Sequence, residues 1–130
     1  MVNSKCYELF SGKVSEGDMY FISNLAWLHD AFEDTSLTNE QLKKRMGHYP
    51  PGGWTRNDEL IQAMRAISKR DDDSRSDYLK ACMGNKFSHA VKIADTLCNL
   101  ECSIKTIDSR RIDKYTRQLS KLTKVMPNLS

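Results

Sequence analysis

The chain has 130 residues, 28% of them charged, and a formal net charge of +3. Its length fits one domain of ordinary globular composition, without an apolar run long enough to span a membrane and without the order of a secretory signal at its start. The weak positive charge does not demand a nucleic acid partner, and it is equally compatible with a small anionic ligand such as a nucleotide.

Helical periodicity recurs along the whole chain, and strand signals are nearly missing. Thr38 is predicted to cap a short helix, because Gln41 occupies the capping-box position three residues on. The segment HYPPGGW (48–54) is predicted to be an exposed loop, since its prolines and glycines disfavour regular structure. The other helices are predicted over 18–32, 57–68, around 78–82, 86–101 and 108–125, with Gly47 and Gly84 as helix ends and 69–75 as a polar connection.

The apolar residues of these helices fall on one side at helical spacing. Together they predict an all-α, single-domain helical bundle over residues 1–130. The residues predicted to point inward are Phe21 or Ile22, Leu25, Leu28, Phe32, Leu42, Met46, Leu60, Ile61, Met64, Ile67, Ile112, Tyr115, Leu119 and Leu122, and a further helix is marked by Tyr78, Leu79 and Cys82.

The stretch LAWLHDAFEDT (25–35) places one histidine and three carboxylates within six residues. On a helix, His29 and Glu33 would be one turn apart, as would Asp30 and Asp34. Buried carboxylates without a cation would cost several kcal/mol each, and imidazole with carboxylate is a suitable ligand mixture for a divalent metal. The alternative is a solvated helix face or a set of helix caps, since most charged residues are merely exposed.

A second stretch, AVKIADTLCNL (90–100), is apolar except for Lys92, Asp95, Thr96 and Asn99. Asp95 and Asn99 are one helical turn apart and therefore point the same way. An aspartate in such an apolar helix needs a partner. We expect His29, Asp30 and a shared metal to be that partner.

These two stretches resemble the signatures of the RelA/SpoT-type alarmone hydrolases, which belong to the HD superfamily of metal-dependent phosphohydrolases. LHDAFEDT resembles the family's LHD-x-x-EDT, and AVKIADTLCNL resembles its VKLADRLHNL. Between them, a T-x-E-x-L-x-x-x-x-G run of the family is matched by Thr38, Glu40, Leu42 and Gly47. The resemblance covers roughly residues 20–104 and implies an HD-type helical bundle.

The resemblance implies a metal site and a catalytic pair. His29 and Asp30 match the metal ligands of the HD dipeptide, and Asp95 matches the aspartate that completes the site. Glu33 and Asp34 match the pair that the family links to activation of the attacking water. The ion in this class is typically one Mn2+, which would acidify a bound water and neutralise phosphate charge.

The resemblance also implies a nucleotide substrate, namely guanosine tetra- or pentaphosphate losing its 3′ pyrophosphate. Asn99 matches an asparagine that contacts the nucleotide or orients the site. Lys69, Arg70, Arg75 and Lys92 are candidates to hold phosphates by charge pairing. Each of these four also fits a plain surface position.

The chain departs from the family pattern in its histidines. The family has a further histidine 24 to 26 residues before the HD pair, which here falls on Asn3, Ser4 or Lys5. Asn3 is the best stand-in, because an amide oxygen can ligate a hard cation weakly. His48 and His89 match no family position, and both are interpreted as surface or capping residues. Thr96 and Cys98 also replace a basic residue and a histidine or tyrosine of the second signature.

Two other functions remain open beside the alarmone hydrolase. One is an HD phosphohydrolase acting on another nucleotide, and the other is a non-catalytic module that binds a nucleotide or a protein partner. No membrane or nucleic acid partner is expected, and an oligomer is compatible with the sequence. The four cysteines, Cys6, Cys82, Cys98 and Cys102, lack zinc spacing and predict small buried side chains in a reducing cytoplasm.

Overall fold

The computed structural model describes residues 2–29, 38, 40, 41, 44, 57–67 and 75–129, without the side chains of residues 57, 75 and 76. No strand occurs in these ranges, so the predicted all-α bundle is confirmed. None of the described helices is long and apolar enough to cross a bilayer. The helices are α1 (Val2–Phe10), α2 (Glu16–Leu28), α3 (Asn57–Ile67), α4 (Arg75–Met83), α5 (Lys86–Lys105) and α6 (Ser109–Thr123).

Several predicted features fall on residues outside this description. They include the HYPPGGW loop and the greater part of the connection before α4. The individual residues concerned are Asp30, Phe32, Glu33, Asp34, Leu42, Met46, Gly47, His48, Lys69 and Arg70, together with the side chain of Arg75.

Helix α5 is the centre of the bundle, because each of the other five described helices packs against it. Its 20 residues span about 30 Å at the usual helical rise. Helix α2 is the second core element, since every residue from Phe21 to Ala26 is buried. Six consecutive buried residues cover more than one full helical turn, so this part of α2 lies inside the bundle, and α2 accordingly contacts α1, α3 and α5.

Side-chain caps explain where three of the helices begin. Ser15, Asn85 and Asp108 precede α2, α5 and α6, and an oxygen of each side chain accepts backbone N–H bonds from the first turn at 3.1 Å. The predicted capping box is also confirmed. Gln41 N–H donates to Thr38 Oγ1 at 3.2 Å, and Thr38 N–H donates to Gln41 Oε1 at 2.8 Å. Such bonds satisfy N–H groups that the helix itself leaves unpaired.

The predicted inward residues are largely correct where they are described. All four in α3 are buried, as are Leu25 and Leu28. In α6 only Leu122 is fully buried among the four predicted, and Gln118 is buried beside it although it was not predicted. Gln118 is accommodated because its Nε2 donates to Thr96 Oγ1 of α5 at 2.7 Å, as a buried amide requires.

Two predicted helix ends are wrong, and one helix was missed. Helix α2 ends at Leu28, not Phe32, with His29 as its C-cap. Helix α5 continues to Lys105, one turn beyond the predicted end. The N-terminal helix α1 was not predicted at all, although Cys6 and Phe10 are one turn apart and both buried. It has only nine residues, too few to be stable alone, so its packing on α2 and α5 supports it.

Buried hydrogen bonds join α5 to its neighbours. Ser88 Oγ donates to the Ala63 carbonyl of α3 at 2.6 Å. His89 Nε2–H donates to the Leu122 carbonyl of α6, also at 2.6 Å. His89 is 3% exposed, so its interpretation as a surface residue is wrong, whereas the alternative of a capping role agrees with this bond. Its ring fills a core position and satisfies one of the last carbonyls of α6.

The turn between α5 and α6 places a bulky residue in a left-handed conformation. Ile107 has φ 53° and is 85% exposed. Its N–H bonds to the Ile104 carbonyl at 3.1 Å, and the Asp108 N–H bonds to the Ser103 carbonyl at 3.0 Å. This pair of bonds defines the Schellman motif, a helix end in which the left-handed position is usually occupied by glycine.

We expect Ile107→Gly to raise the free energy of unfolding by about 1 kcal/mol, because a left-handed conformation is costly for a β-branched residue and not for glycine. Urea denaturation followed by circular dichroism measures the change. Ile104→Gly is the matched control and should lower stability by about 1 kcal/mol, since Ile104 lies in the last turn of a regular helix. Destabilisation by both substitutions would contradict the account of the turn.

Candidate functional site

One face of α5 carries the polar side chains Lys92, Asp95 and Asn99, at helical spacing. Lys92 Nζ donates to Asp95 Oδ2 at 3.0 Å, and Asn99 Nδ2 donates to Asp95 Oδ1 at 3.3 Å. The side chains of Lys92 and Asp95 are only 13% and 14% exposed. The aspartate is therefore held by its own helix in a nearly buried position, with the partners that such a position requires.

The end of α2 brings His29 to the same face. Its Nδ1–H donates to the Ala26 carbonyl at 2.6 Å, which directs Nε2 away from its own helix. Nε2 lies 3.6 Å from Asp95 Oδ1, and the His29 side chain is 8% exposed. The histidine of the first motif and the aspartate of the second therefore lie side by side.

The distance between these two atoms suits a shared cation. Two donor atoms that are each about 2.1 Å from one ion can lie at most about 4.2 Å apart, so the observed 3.6 Å permits a shared ion. A neutral imidazole lone pair facing a carboxylate is unfavourable unless positive charge lies between them or the ring is protonated. Imidazole nitrogen and carboxylate oxygen are both suitable donors for first-row divalent metals.

All of the predicted metal ligands, His29 and Asp95 included, stay predictions. No three histidine, cysteine, aspartate or glutamate side chains of the described residues are placed to hold a metal. Asp30 follows His29 directly and lies outside those residues. Asn3 lies on α1, where its Oδ1 accepts a hydrogen bond from Ser23 Oγ at 2.8 Å. That bond uses one of the two lone pairs of the amide oxygen.

Tyr78 of α4 lies against Lys92. The Lys92 Nζ is 5.0 Å from the centroid of the tyrosine ring, and the Tyr78 hydroxyl donates to the Ile67 carbonyl at 2.8 Å. Burial raises the pKa of Tyr78 to about 12, so the phenol is neutral. We refer to His29, Tyr78, Lys92, Asp95 and Asn99 together as the Asp95 cluster.

The structure gives Lys92 a different partner from the one that the sequence predicted. Lys92 was a candidate to hold phosphate, but its ammonium donates to Asp95 and lies over an aromatic ring. The i, i+3 spacing of Lys92 and Asp95 was visible in the sequence and is the signal that identifies the pair. The contribution of Tyr78 had no such local signal, because it comes from another helix.

The charges of the Asp95 cluster stabilise each other. Burial by itself would raise the pKa of Asp95, but His29 and Lys92 outweigh burial and hold that pKa below its ordinary 3.8. Burial likewise opposes the charge on Lys92, but Asp95 and Tyr78 outweigh it and raise the pKa of Lys92 above its ordinary 10.5. Asp95 is therefore an anion and Lys92 a cation at neutral pH.

The lowered pKa predicts a specific acid sensitivity. A carboxyl whose pKa is lower in the folded chain stabilises the fold above its unfolded pKa, and this contribution is lost as the pH falls through the folded pKa. The stability advantage of the native chain over Asp95→Asn should therefore be constant near neutrality and shrink below about pH 4. Urea denaturation from pH 7 to pH 2.5 measures it. The control Asp113→Asn alters a side chain that is 63% exposed, so the native chain should be little more stable than this variant at any pH. A stability difference between the native chain and Asp95→Asn that does not change with pH would refute the linkage.

Three of the four cysteines are buried, as predicted, and Cys102 is exposed. Burial raises the pKa of Cys6 to about 12 and that of Cys82 to about 11. These thiols are therefore protonated near neutral pH and are poor nucleophiles and poor metal ligands.

Comparisons of the chain with protein-family models, with curated proteins and with solved structures gave no match.

Proposed function

We propose that the chain is a metal-dependent phosphohydrolase that removes the 3′ pyrophosphate of guanosine tetra- or pentaphosphate, leaving GDP or GTP. The observation that carries this proposal is the approach of His29 Nε2 to Asp95 Oδ1 at 3.6 Å. These are two of the ligand types that the two motifs pair in the alarmone hydrolases. Their nearly buried positions also match a site that excludes bulk water around a charged centre.

His29 and Asp95 would hold the ion, with Asp30 as the third ligand and Asn3 as a weak fourth. One bound Mn2+ supplies Lewis acidity, which lowers the pKa of a water and offsets the charge of the phosphate. The nitrogen and oxygen donors of the described pair suit such an ion.

The neighbouring side chains orient the two proposed ligands. The Nδ1–H bond to Ala26 selects the tautomer of His29 that directs Nε2 toward Asp95. Lys92 and Asn99 each donate to one oxygen of the Asp95 carboxylate, which restricts its rotation. Bonds of this kind commonly hold metal ligands in place and affect metal affinity about 10- to 100-fold.

Other predicted residues would act on the substrate. In the proposal, Glu33 and Asp34 take the proton of the attacking water. Lys69, Arg70 and Arg75 pair with the phosphate oxygens. Asn99 is assigned to orientation of the site, because its amide donates to Asp95.

A second candidate is a non-catalytic module in which the Asp95 cluster needs no metal. Lys92 already provides Asp95 with a cation at 3.0 Å, and a protonated His29 would add another. The cluster would then be a buried ion network that stabilises the fold while the module binds a nucleotide or a partner. Metal binding separates this candidate from the first.

The deciding experiment is a turnover assay after removal of metal by a chelator. Mn2+ is then added back, and the chain is incubated with one nucleotide at a time: guanosine tetraphosphate, GTP, GDP, ATP or dGTP. The pyrophosphate and phosphate released in each reaction are quantified. We expect pyrophosphate and GDP in equal amounts from the tetraphosphate alone, with none in EDTA and none from Asp30→Ala or Asp95→Ala. Turnover of the other nucleotides would favour a different HD phosphohydrolase, and nucleotide binding without turnover would favour the second candidate.

A further inference from the structure

The positive charge of the chain is concentrated in its last helix. Residues 105–124 contain seven lysines and arginines and two aspartates, a net +5, whereas the whole chain carries +3. The rest of the chain is therefore net negative, by two charges. Such separation of charge is typical of a surface that attracts an anion, and the site proposed above accounts for none of these residues.

A concave groove collects part of this charge. It has a volume of about 330 Å³ and lies between α6 and Leu79 of α4. We refer to it as the α4–α6 groove. Besides Leu79 its lining includes Arg110, Lys114, Arg117, Gln118 and Lys121. The four cations occupy positions i, i+4, i+7 and i+11 of α6, so they share one face of that helix.

Most of these cations lack a counter-charge. Within the described part of the chain, Arg110, Lys114 and Lys121 form no ion pair. Arg117 pairs with Asp113, the one carboxylate of the lining, at 3.3 Å. The groove is therefore net positive by three charges, in a concavity of the size that takes a small ligand.

The groove is separate from the Asp95 cluster but close to it. The buried Gln118 side chain in its lining donates to Thr96 Oγ1 at 2.7 Å, and Thr96 follows Asp95 on α5. Leu79, on the opposite wall, follows Tyr78 of the cluster. Among the contacts of the described residues, however, none joins a charged side chain of α6 to the cluster, so the groove can bind an anion independently of any metal.

We infer that the α4–α6 groove binds a small polyphosphate anion, either inorganic or as the phosphate chain of a nucleotide. Several adjacent cations, including two arginines, suit the several oxygens of such a chain. Binders of single-stranded nucleic acid combine a basic groove with aromatic side chains on which the bases stack. The described lining holds no aromatic residue, which favours the small anion.

Titration calorimetry with inorganic tripolyphosphate tests the inference, in 0.15 M KCl with EDTA. The double variant Arg110→Gln/Lys114→Gln removes two groove cations without disturbing the Asp113–Arg117 pair. We expect it to bind about 100-fold more weakly, since each lost charge-assisted bond is worth about tenfold. EDTA keeps a metal out of the measurement, so failure here and failure of the proposed hydrolase are distinguishable.

The matched control is Arg111→Gln/Lys124→Gln. It removes one arginine and one lysine from the same segment but outside the lining. Arg111 and Lys114 both lie over the ring of Tyr115, at 5.7 and 5.1 Å, so each double variant loses one cation–ring contact. We expect the control to bind nearly as well as the native chain. Equal weakening in the two variants, or no binding by the native chain, would overturn the inference.

Two further arms identify the source of the anion. GTP binding as tightly as tripolyphosphate would show that the phosphate chain suffices, and tighter GTP binding would show that the nucleoside contributes; either supports the inference. In NMR spectra of the native chain, the Gln118 side-chain amide and the Leu79 methyl groups should shift. Preference for a single-stranded RNA over both small anions would reject the inference in favour of a nucleic acid surface.

Discussion

Asp95→Asn is expected to abolish the proposed metal-dependent hydrolysis. The value of kcat/KM should fall by more than about 100-fold, because mutation of residues that merely hold a metal ligand in place already costs up to about 100-fold. Asparagine keeps the size of the side chain but lacks the negative charge that the cation requires. It also presents an N–H group where one carboxylate oxygen had been, toward either Lys92 or His29. Initial rates of pyrophosphate release at several Mn2+ concentrations measure the effect, and a calorimetric Mn2+ titration should show weakened binding.

The substitution will also destabilise the fold, because it leaves Lys92 nearly buried without its anion. A second variant separates this effect from catalysis. In Lys92→Met/Asp95→Asn the lysine charge is removed together with its partner, and removal of both members of a buried pair is often nearly neutral. We expect the double variant to recover much of the lost stability and none of the activity.

Asp58→Asn serves as a control, since it makes the same chemical change at an exposed position in the first turn of α3, outside both the Asp95 cluster and the α4–α6 groove. It should retain the native rate. Full activity in Asp95→Asn, with native folding verified by circular dichroism, would remove the proposed metal centre. Equal loss of activity in the two variants would show that the assay reports general damage.

Phe21→Ala is expected to lower the free energy of unfolding by about 3–5 kcal/mol, the usual cost of emptying a buried aromatic site. Phe21 is fully buried in α2. Its ring centroid lies 4.6 Å from that of Phe87 on α5, with the rings tilted by 51°. Such a loss is a large part of the stability of a small domain and should lower Tm by about 10–20 °C.

Thermal and urea denaturation measure this loss, and the neighbouring residue provides the control. Tyr20 is 38% exposed on the same helix, and Tyr20→Ala should cost far less. A double-mutant cycle with Phe87→Ala should give a coupling of about 0.5–1.5 kcal/mol for the ring pair. Similar losses for Phe21→Ala and Tyr20→Ala would contradict the position of α2 in the core.

The helices from α3 onward were predictable because their signals are local. Leu60, Ile61, Met64 and Ile67 repeat at helical spacing, and all four are buried as that spacing predicts. The capping box at Thr38 was equally readable, since both of its hydrogen bonds connect residues three positions apart. Information of this kind is contained within one or two turns of chain.

The errors came where packing between helices overrides local preference. Helix α1 is too short to be stable alone, and its burial against α2 and α5 has no local signature beyond one turn of apolar spacing. Gln118 and His89 occupy core positions only because Thr96 and the Leu122 carbonyl are there to bond them. A sequence pattern ranks such polar residues as exposed.

The sequence alone determined the helical class and named the residues of the proposed cation site: the histidine of one motif, the aspartate of another, and an asparagine one turn beyond it. Spacing within each motif decided which side chains share a helix face. Only the tertiary structure decided that His29 and Asp95 meet at 3.6 Å, that Lys92 bonds to Asp95 and not to solvent, and that cations of α6 line a groove with Leu79. The physical reason is that helical periodicity acts over a few residues, whereas the relative placement of two helices depends on how all of their buried side chains pack together.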